Sequence, residues 1–166
     1  RHLFSKVQGS FKEYTGSFSY DPTKPETWQV NAEIQAASID TGVADRDAHL
    51  KNPDFFEVEK YPTLSFKSTG VTGVEGQKAK IEGLLTMHGV EKPVTLDVEF
   101  YGEAKDPWGN SRLGLTATTT LNRQDFGLAF DKVTETGQLL VGNDIEITLD
   151  IEAIQQKPAE AAPAAV

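Results

Sequence analysis

The sequence predicts an all-β fold: a single antiparallel sheet of long strands, curled into a barrel whose outside is wet. Three observations carry this. Apolar and polar residues alternate with period two over most of the chain. Clusters of Gly, Pro, Asn and Asp divide the alternating runs. Only one short stretch has helical spacing. A length of 166 residues suits one such domain.

Taken in order, residues 3–11 read either as a strand or as a short helix, and residues 14–20 as a weakly alternating strand. Residues 28–38 alternate cleanly: Trp28, Val30, Ala32, Ile34 and Ala36 share one face, and Gln29, Asn31, Glu33 and Gln35 the other. Residues 63–68 and 77–86 alternate weakly. Residues 93–103 set Val94, Leu96, Val98 and Phe100 against Thr95, Asp97 and Glu99. Residues 111–121 set Leu113, Leu115, Ala117, Thr119 and Leu121 against Arg112, Gly114, Thr116, Thr118 and Thr120. Residues 144–153 close the series, with Ile145, Ile147, Leu149, Ile151 and Ala153 facing one way and Asp144, Glu146, Thr148, Asp150 and Glu152 the other. One apolar and one polar face per strand is the mark of an antiparallel sheet wetted on one side. Strands of about ten residues exceed the usual five or six and suit a tall barrel. The acidic outer face of the last strand opposes edge-to-edge pairing with another molecule.

Turns are predicted at residues 21–25, 70–76, 89–93 and 106–110, each rich in Gly, Pro, Asp or Asn. The helix candidate covers residues 42–52, with Asp40 or Thr41 as its cap and Pro53 as its stop. Asp54-Phe55-Phe56 then carries two aromatic rings into the body of the fold. The domain therefore spans residues 1–154. Residues 155–166, rich in Pro and Ala and without periodicity, read as a disordered tail.

The charge balance is 16 Lys and Arg against 25 Asp and Glu, a formal net charge of -9. Nucleic acid, which needs basic surface to displace counterions, is excluded as a partner, and electrostatic docking on anionic membranes is disfavoured. With no cysteine there are no disulfides, thiolate metal sites or cysteine nucleophiles. No run approaches the ~20 apolar residues of a membrane helix. The chain opens on Arg1, so a processed or trimmed start is expected.

No catalytic constellation emerges, and the expectation is a protein that is not an enzyme and uses no metal. His2, His49 and His88 lie in unrelated segments without ligand spacing. Asp125-Phe126-Gly127 matches a kinase magnesium motif in three letters, but no glycine-rich nucleotide loop or catalytic loop accompanies it. It reads as a strand end with Phe126 buried and Gly127 turning. Arg46 and Asp47 read as a structural clamp. Asp45, Asp47, Asp54 and Glu57 lack the order and mid-loop glycine of a calcium loop. There remains the interior. An eight-stranded barrel is just wide enough to be filled by side chains or to hold one small ligand. Small inward residues (Ala32, Ala36, Ala117, Thr119) leave room, whereas Trp28, Phe66 and Phe100 fill it. Patterning alone leaves the two readings even.

A resemblance tips this balance. Arg1-His2-Leu3, Ser5-Lys6-Val7-Gln8-Gly9-Ser10-Phe11, Ala37-Ser38-Ile39-Asp40-Thr41-Gly42 and Arg46-Asp47-Ala48-His49-Leu50 occur in order. So do Asp54-Phe55-Phe56-Glu57-Val58-Glu59-Lys60-Tyr61-Pro62, Gly83-Leu84-Leu85-Thr86-Met87-His88-Gly89-Val90 and Asn122-Arg123-Gln124-Asp125-Phe126-Gly127. Over residues 1 to about 153 the chain resembles the YceI family. The resemblance implies a lipocalin-like eight-stranded antiparallel barrel, with one short helix after the third family strand, in a periplasmic or secreted protein. It implies non-catalytic binding, carriage or storage of an apolar lipid, an isoprenoid or quinone-type chain in the lumen, with a tie to stress response in some members. Homodimers are known among relatives. The alternative is a structural or protein-interaction barrel with a filled core. The expected lining, taken from strand alternation, is Trp28, Val30, Ile34, Phe66, Leu96, Val98, Leu115 and Ile147, with Phe55 and Phe56 guarding one mouth. The resemblance implies a further strand before Arg1-His2-Leu3, and that strand is expected to be missing from this chain. If residues 3–11 form a helix, an open seam is expected beside the gap, with the chain a trimmed fragment or a partner segment filling the seam.

Overall fold

The computed structural model describes residues 5–132, 135 and 140–156. In chain order the strands are β1 (Ser10–Phe11), β2 (Tyr14–Ser19), β3 (Gln29–Gln35), β4 (Ile39–Asp40), β5 (Thr63–Glu75), β6 (Lys78–Met87), β7 (Val90–Lys105), β8 (Ser111–Asn122) and β9 (Asp144–Ile154). One helix, α1 (Ala44–Lys51), lies between β4 and β5. Seven strands form one antiparallel sheet in the order β2-β3-β5-β6-β7-β8-β9, and β1 pairs separately with β4. The sheet is curled. Phe18 on β2 stacks 6.1 Å from Phe100 on β7, four strands along, which a flat sheet could not bring about.

The seven strands read from the sequence, four clearly and three weakly alternating, are the seven strands of this sheet. Two predicted turns are displaced. The stretch 70–76 is mostly strand: β5 continues to Glu75 through register shifts between Ser68 and Gly70 and between Thr72 and Glu75. Bulges of this kind absorb the glycines without ending the strand. The turn proper is Gly76-Gln77, with Gly76 at a φ of 59° as the first residue of a tight hairpin loop. Likewise the reversal assigned to 89–93 is His88-Gly89, both at positive φ (53° and 72°), between the paired residues Met87 and Val90. This is the type I′ geometry whose twist matches the flanking strands. Pro93 then lies inside β7. It is tolerated because the β7–β8 ladder begins only at Asp97 opposite Thr118, so no β8 carbonyl awaits a donor there.

Residues 3–11 form neither the full strand nor the helix. Only Ser10 and Phe11 are extended and paired, against Asp40 and Ile39. The Ser38 hydroxyl draws the chain off at once, accepting from the backbone N–H groups of Lys12 and Glu13 at 3.1 Å each. Gly9 passes so close to this segment that a Cβ would stand 2.8 Å from Thr41 Cγ2. Among the described residues no eighth strand joins the sheet, and β2 and β9 form its two edges with a seam between them. Lys6 reaches β9 across that side, 2.7 Å from Glu146.

The helix is shorter than predicted, and its N-cap is Val43 rather than Asp40 or Thr41. Those two residues are otherwise engaged. Asp40 accepts from the Gly42 N–H, and the Thr41 N–H donates to Asp47 at 2.8 Å. Arg46 donates to the Thr41 hydroxyl and carbonyl, so Arg46 and Asp47 clamp Thr41 rather than each other. Asn52 ends the helix immediately before Pro53. Arg123–Phe126 is a 3-10 turn with Phe126 buried and Gly127 at a φ of 75°, as the sequence reading had it. Of the predicted tail, Gln155 and Gln156 are described, and residues 157–166 lie outside the described residues, as does His2.

Candidate functional site

Register decides which side chains meet inside the curl. Gly16, Ala32 and Phe66 stand opposite one another across β2, β3 and β5. Ala79, Val98, Ala117 and Leu149 do so across β6, β7, β8 and β9. Above and below these rows lie Ile34 with Leu64, Ile81 with Leu96, Phe100 with Leu115 and Ile151, and Thr119 with Ile147. The inner face is thus apolar apart from Thr119 in these rows, with small side chains in its middle band.

Every strand residue proposed as lining stands on this face. Leu96, Val98 and Leu115 are buried, and Val30, Ile34, Phe66 and Ile147 are half-buried against the core. Trp28 and Phe55 are buried too, but at opposite ends rather than along one wall. The hairpin end, where the β7–β8 loop turns, is filled by a cluster of Phe18, Tyr20, Trp28 and Phe100, with ring centroids 5.0–6.1 Å apart. The Trp28 indole N–H donates to the Asp21 carbonyl at 2.6 Å, which fixes its ring. Burial, and secondarily the Glu103 and Asp21 carboxylates, push the Tyr20 hydroxyl above its ordinary pKa, so it enters this cluster neutral. At the helix end Phe55 packs with His49 and Phe130. Phe56 takes a different neighbour, meeting Phe11 edge-on at 5.8 Å. The two consecutive phenylalanines therefore tie two separate segments to the helix end.

Three features of the site escaped the sequence reading. The first is Gly83. A Cβ there would lie 2.4 Å from Phe66 Cζ and 2.6 Å from the Lys67 carbonyl oxygen. The tip of the Phe66 ring, Cζ and Cε2, thus occupies the space that a side chain at residue 83 would fill. The second is Arg123, 3% exposed. Its guanidinium donates to the carbonyls of Leu128 and Gly142, to Asp131 and to the Asn143 side chain, gathering the chain after β8 under the helix end. The third is His88. Its Nδ1 faces the Phe126 carbonyl at 3.2 Å, and since a carbonyl only accepts, Nδ1 carries the proton. Nε2 is buried without a hydrogen-bond partner in the protein, 3.6 Å from Glu57 Oε2. Only the His-Gly pair of the hairpin was a local signal. The rest depends on contacts distant in sequence.

A second opening lies in the wall. β7 and β8 separate below the Asp97–Thr118 pair, and a cavity of about 560 Å³ lies between them, lined by Val94, Thr95, Thr120, Leu121 and Phe126 among others. Among the described residues no group of three or more His, Asp or Glu is placed to hold a metal ion.

A curled antiparallel sheet with an apolar inner face and one short helix at its end matches a known domain. The model of the YceI-like domain aligns with residues 1–153. The chain belongs to the YceI-like family. It is 41% identical over 157 residues to a UPF0312 protein of Pseudomonas putida, a match covering 94% of this chain and 78% of the relative. A UPF0312 protein of Pseudomonas syringae is 42% identical over the same span. Among solved structures, a mutant YceI protein of Campylobacter jejuni carrying a monobromobimane guest superposes with a TM-score of 0.83 at 33% identity, covering 95% of this chain and 90% of that one. Burkholderia cenocepacia BcnA shares the fold at a TM-score of 0.80 and 21% identity, covering 91% and 90%. The lipocalin-like barrel read from the family motifs is thereby the architecture of the family, and here it is an open, curled sheet. No helix among the described residues is long and apolar enough to cross a membrane.

Proposed function

We propose that this protein is a carrier or store for an apolar lipid, an isoprenoid or quinone-type chain, held in the lumen without covalent chemistry, in the periplasm or outside the cell. The observation that supports this most directly is the middle band of the inner face. Gly16, Ala32, Ala79 and Ala117 put small side chains where a core built only for stability would place large ones, and Gly83 leaves the Phe66 ring room against β6. A linear apolar chain in that band gains about 0.8 kcal/mol per buried methylene. Several isoprene units therefore outweigh the cost of ordering the chain. Val30, Ile34, Leu96, Val98, Leu115 and Ile147 line the path, and the aromatic groups at the two ends bound it.

Organic extraction of purified protein followed by mass spectrometry tests the reading, and a polyprenyl or quinone-type lipid near one per chain is the expected result. Val98→Trp fills the space between Ala79 and Ala117 and should reduce recovered lipid severalfold while the circular-dichroism spectrum stays that of a β protein. Protein devoid of lipid, and unable to take up added polyprenol, would favour the alternative of a filled structural or interaction barrel.

A further inference from the structure

Eight large apolar side chains are exposed among the described residues; Val7, Tyr14, Val43 and Val74 belong to other segments, and the other four meet at one corner. Trp108 is 80% exposed, Tyr101 65%, Ile154 51% and Ile151 40%. All four lie where β7, β8 and β9 reach the 106–110 hairpin. Ile151 stands opposite Leu115, Ile154 opposite Arg112, and the Tyr101 side chain lies over Gly114. Tyr101 and Ile154 are on the outer face and Ile151 on the inner one, so this corner of the rim is apolar on both sides. Exposed apolar surface concentrated in one place marks an interaction site.

Trp108 is not exposed for want of order. Asp106 locks its turn, with Oδ1 accepting from the backbone N–H groups of Trp108 and Asn110 and Oδ2 from the Asn110 amide and Arg112 Nε, all at 2.9–3.0 Å. The Asp106 N–H donates to the Asn110 carbonyl, and the Gly109 N–H to the Asp106 carbonyl. The indole is therefore held out in water by a rigid turn.

We propose that this corner is a docking tip for the interfacial layer of a lipid bilayer, with Trp108 entering the headgroup region. Trp and Tyr are the side chains that favour that layer, being apolar bodies with a polar handle. One indole at the apex of a turn offers little area to a protein partner, but it suits a surface that deforms around it. The charges nearby choose the kind of bilayer. Arg112 is bound by Asp106 and Glu152, and Glu103 accompanies Lys105, so the tip has no cationic excess to favour anionic lipid. The surface it fits is zwitterionic and the contact is apolar. The same end of the barrel carries the Tyr20, Trp28 and Phe100 cluster, so docking would bring the aromatic end of the lumen to the membrane from which an apolar ligand comes. That last link rests on the proposed carrier function, whereas the docking itself does not.

The chain has two tryptophans, and the other, Trp28, is 6% exposed. Titrating Trp28→Phe protein with phosphatidylcholine vesicles leaves Trp108 as sole reporter. The expected result is a blue shift of its emission and quenching by bromine-labelled acyl chains, both unchanged between low and high salt. Should Trp28→Phe fail to fold, co-sedimentation of the unaltered protein and of Trp108→Ser with the same vesicles gives the same answer, with about a tenfold loss of bound protein expected for the variant, the scale of one large side chain leaving an apolar contact. Emission that ignores the vesicles, equal sedimentation of the two proteins, or binding abolished by salt would each overturn the tip. Vesicle docking by a protein that yields no lipid on extraction would leave the tip standing and sink carriage. Lipid recovered from a protein whose Trp108 never responds would do the reverse.

Discussion

The two ends of this barrel are closed by different physics. At the hairpin end four aromatic rings from β2, the 20–28 loop and β7 stack on one another, and the adjoining turn is organised by one carboxylate within five residues of sequence. At the helix end the ring contacts of Phe55 and Phe56 are joined by polar contacts between distant segments. Arg123 binds Leu128, Asp131, Gly142 and Asn143, His88 reaches the Phe126 carbonyl, and Ser38 takes the N–H groups of residues 12 and 13. The hairpin end can tolerate losing one contact because stacking is spread over many atom pairs. The helix end is less forgiving at Arg123, because a buried carbonyl without its donor bears the full desolvation cost.

The sharpest way to break this contrast is Arg123→Ala. It takes the Arg123 donors from the Leu128 and Gly142 carbonyls and leaves the Asp131 carboxylate held by the Gln124 amide, and each buried carbonyl left unpaired should cost about 1–3 kcal/mol. Urea unfolding measures the cost. Amide exchange should show protection lost first around residues 123–131 and 140–143. Equal loss around the 106–110 hairpin would show instead that the two ends unfold as one unit.

A smaller effect is expected midway between the ends. Gly83→Ala forces a methyl group against Phe66 and the Lys67 carbonyl, so the ring must turn into the lumen. Overpacking of this kind costs about 1–3 kcal/mol. The same change should lower the capacity for added polyprenol. Undiminished capacity together with the stability loss would mean that Phe66 moves elsewhere and does not border the ligand path.

The smallest effect belongs to the hairpin end and depends on pH. Hydrogen bonds from the Asn110 side chain, then from the Asn110 backbone N–H, Arg112 and Trp108, hold the Asp106 carboxyl at about 2, below its usual 3.8. A carboxylate depressed on folding contributes its stability above the unfolded value and loses it as pH falls toward the folded one. Acidification from about pH 4 to about pH 2 should therefore loosen the 106–110 turn, seen as faster amide exchange there and altered Trp108 emission. In Asp106→Asn the 106–110 turn should be looser at neutral pH and insensitive to this acid range. A turn equally protected at both pH values would remove Asp106 as its lock.

Much of the fold was legible because alternation is a property of a strand by itself. A run such as Ile145, Ile147, Leu149, Ile151 declares its apolar face whatever lies beside it, so all seven sheet strands and the inward side of each proposed strand residue were readable. Turn positions were less so. The glycines at 70, 73 and 76 look alike in sequence, yet the sheet continues through two and reverses at the third. Whether a glycine makes a bulge or a turn depends on which residues the neighbouring strand offers for pairing.

Composition and period two determined the class of fold, the wet outer face and the apolar inner one, and family motifs identified the domain. Only the tertiary structure decided that Gly83 makes room for Phe66, that Arg123 ties up the chain after β8, that Phe55 and Phe56 part company, and that Trp108 stands exposed on a locked turn beside Tyr101, Ile151 and Ile154. Each of these is a meeting of residues far apart in the chain or a choice of side at a turn. Hydrophobic periodicity records how a residue relates to its sequence neighbours, and it is silent on which distant group will stand opposite.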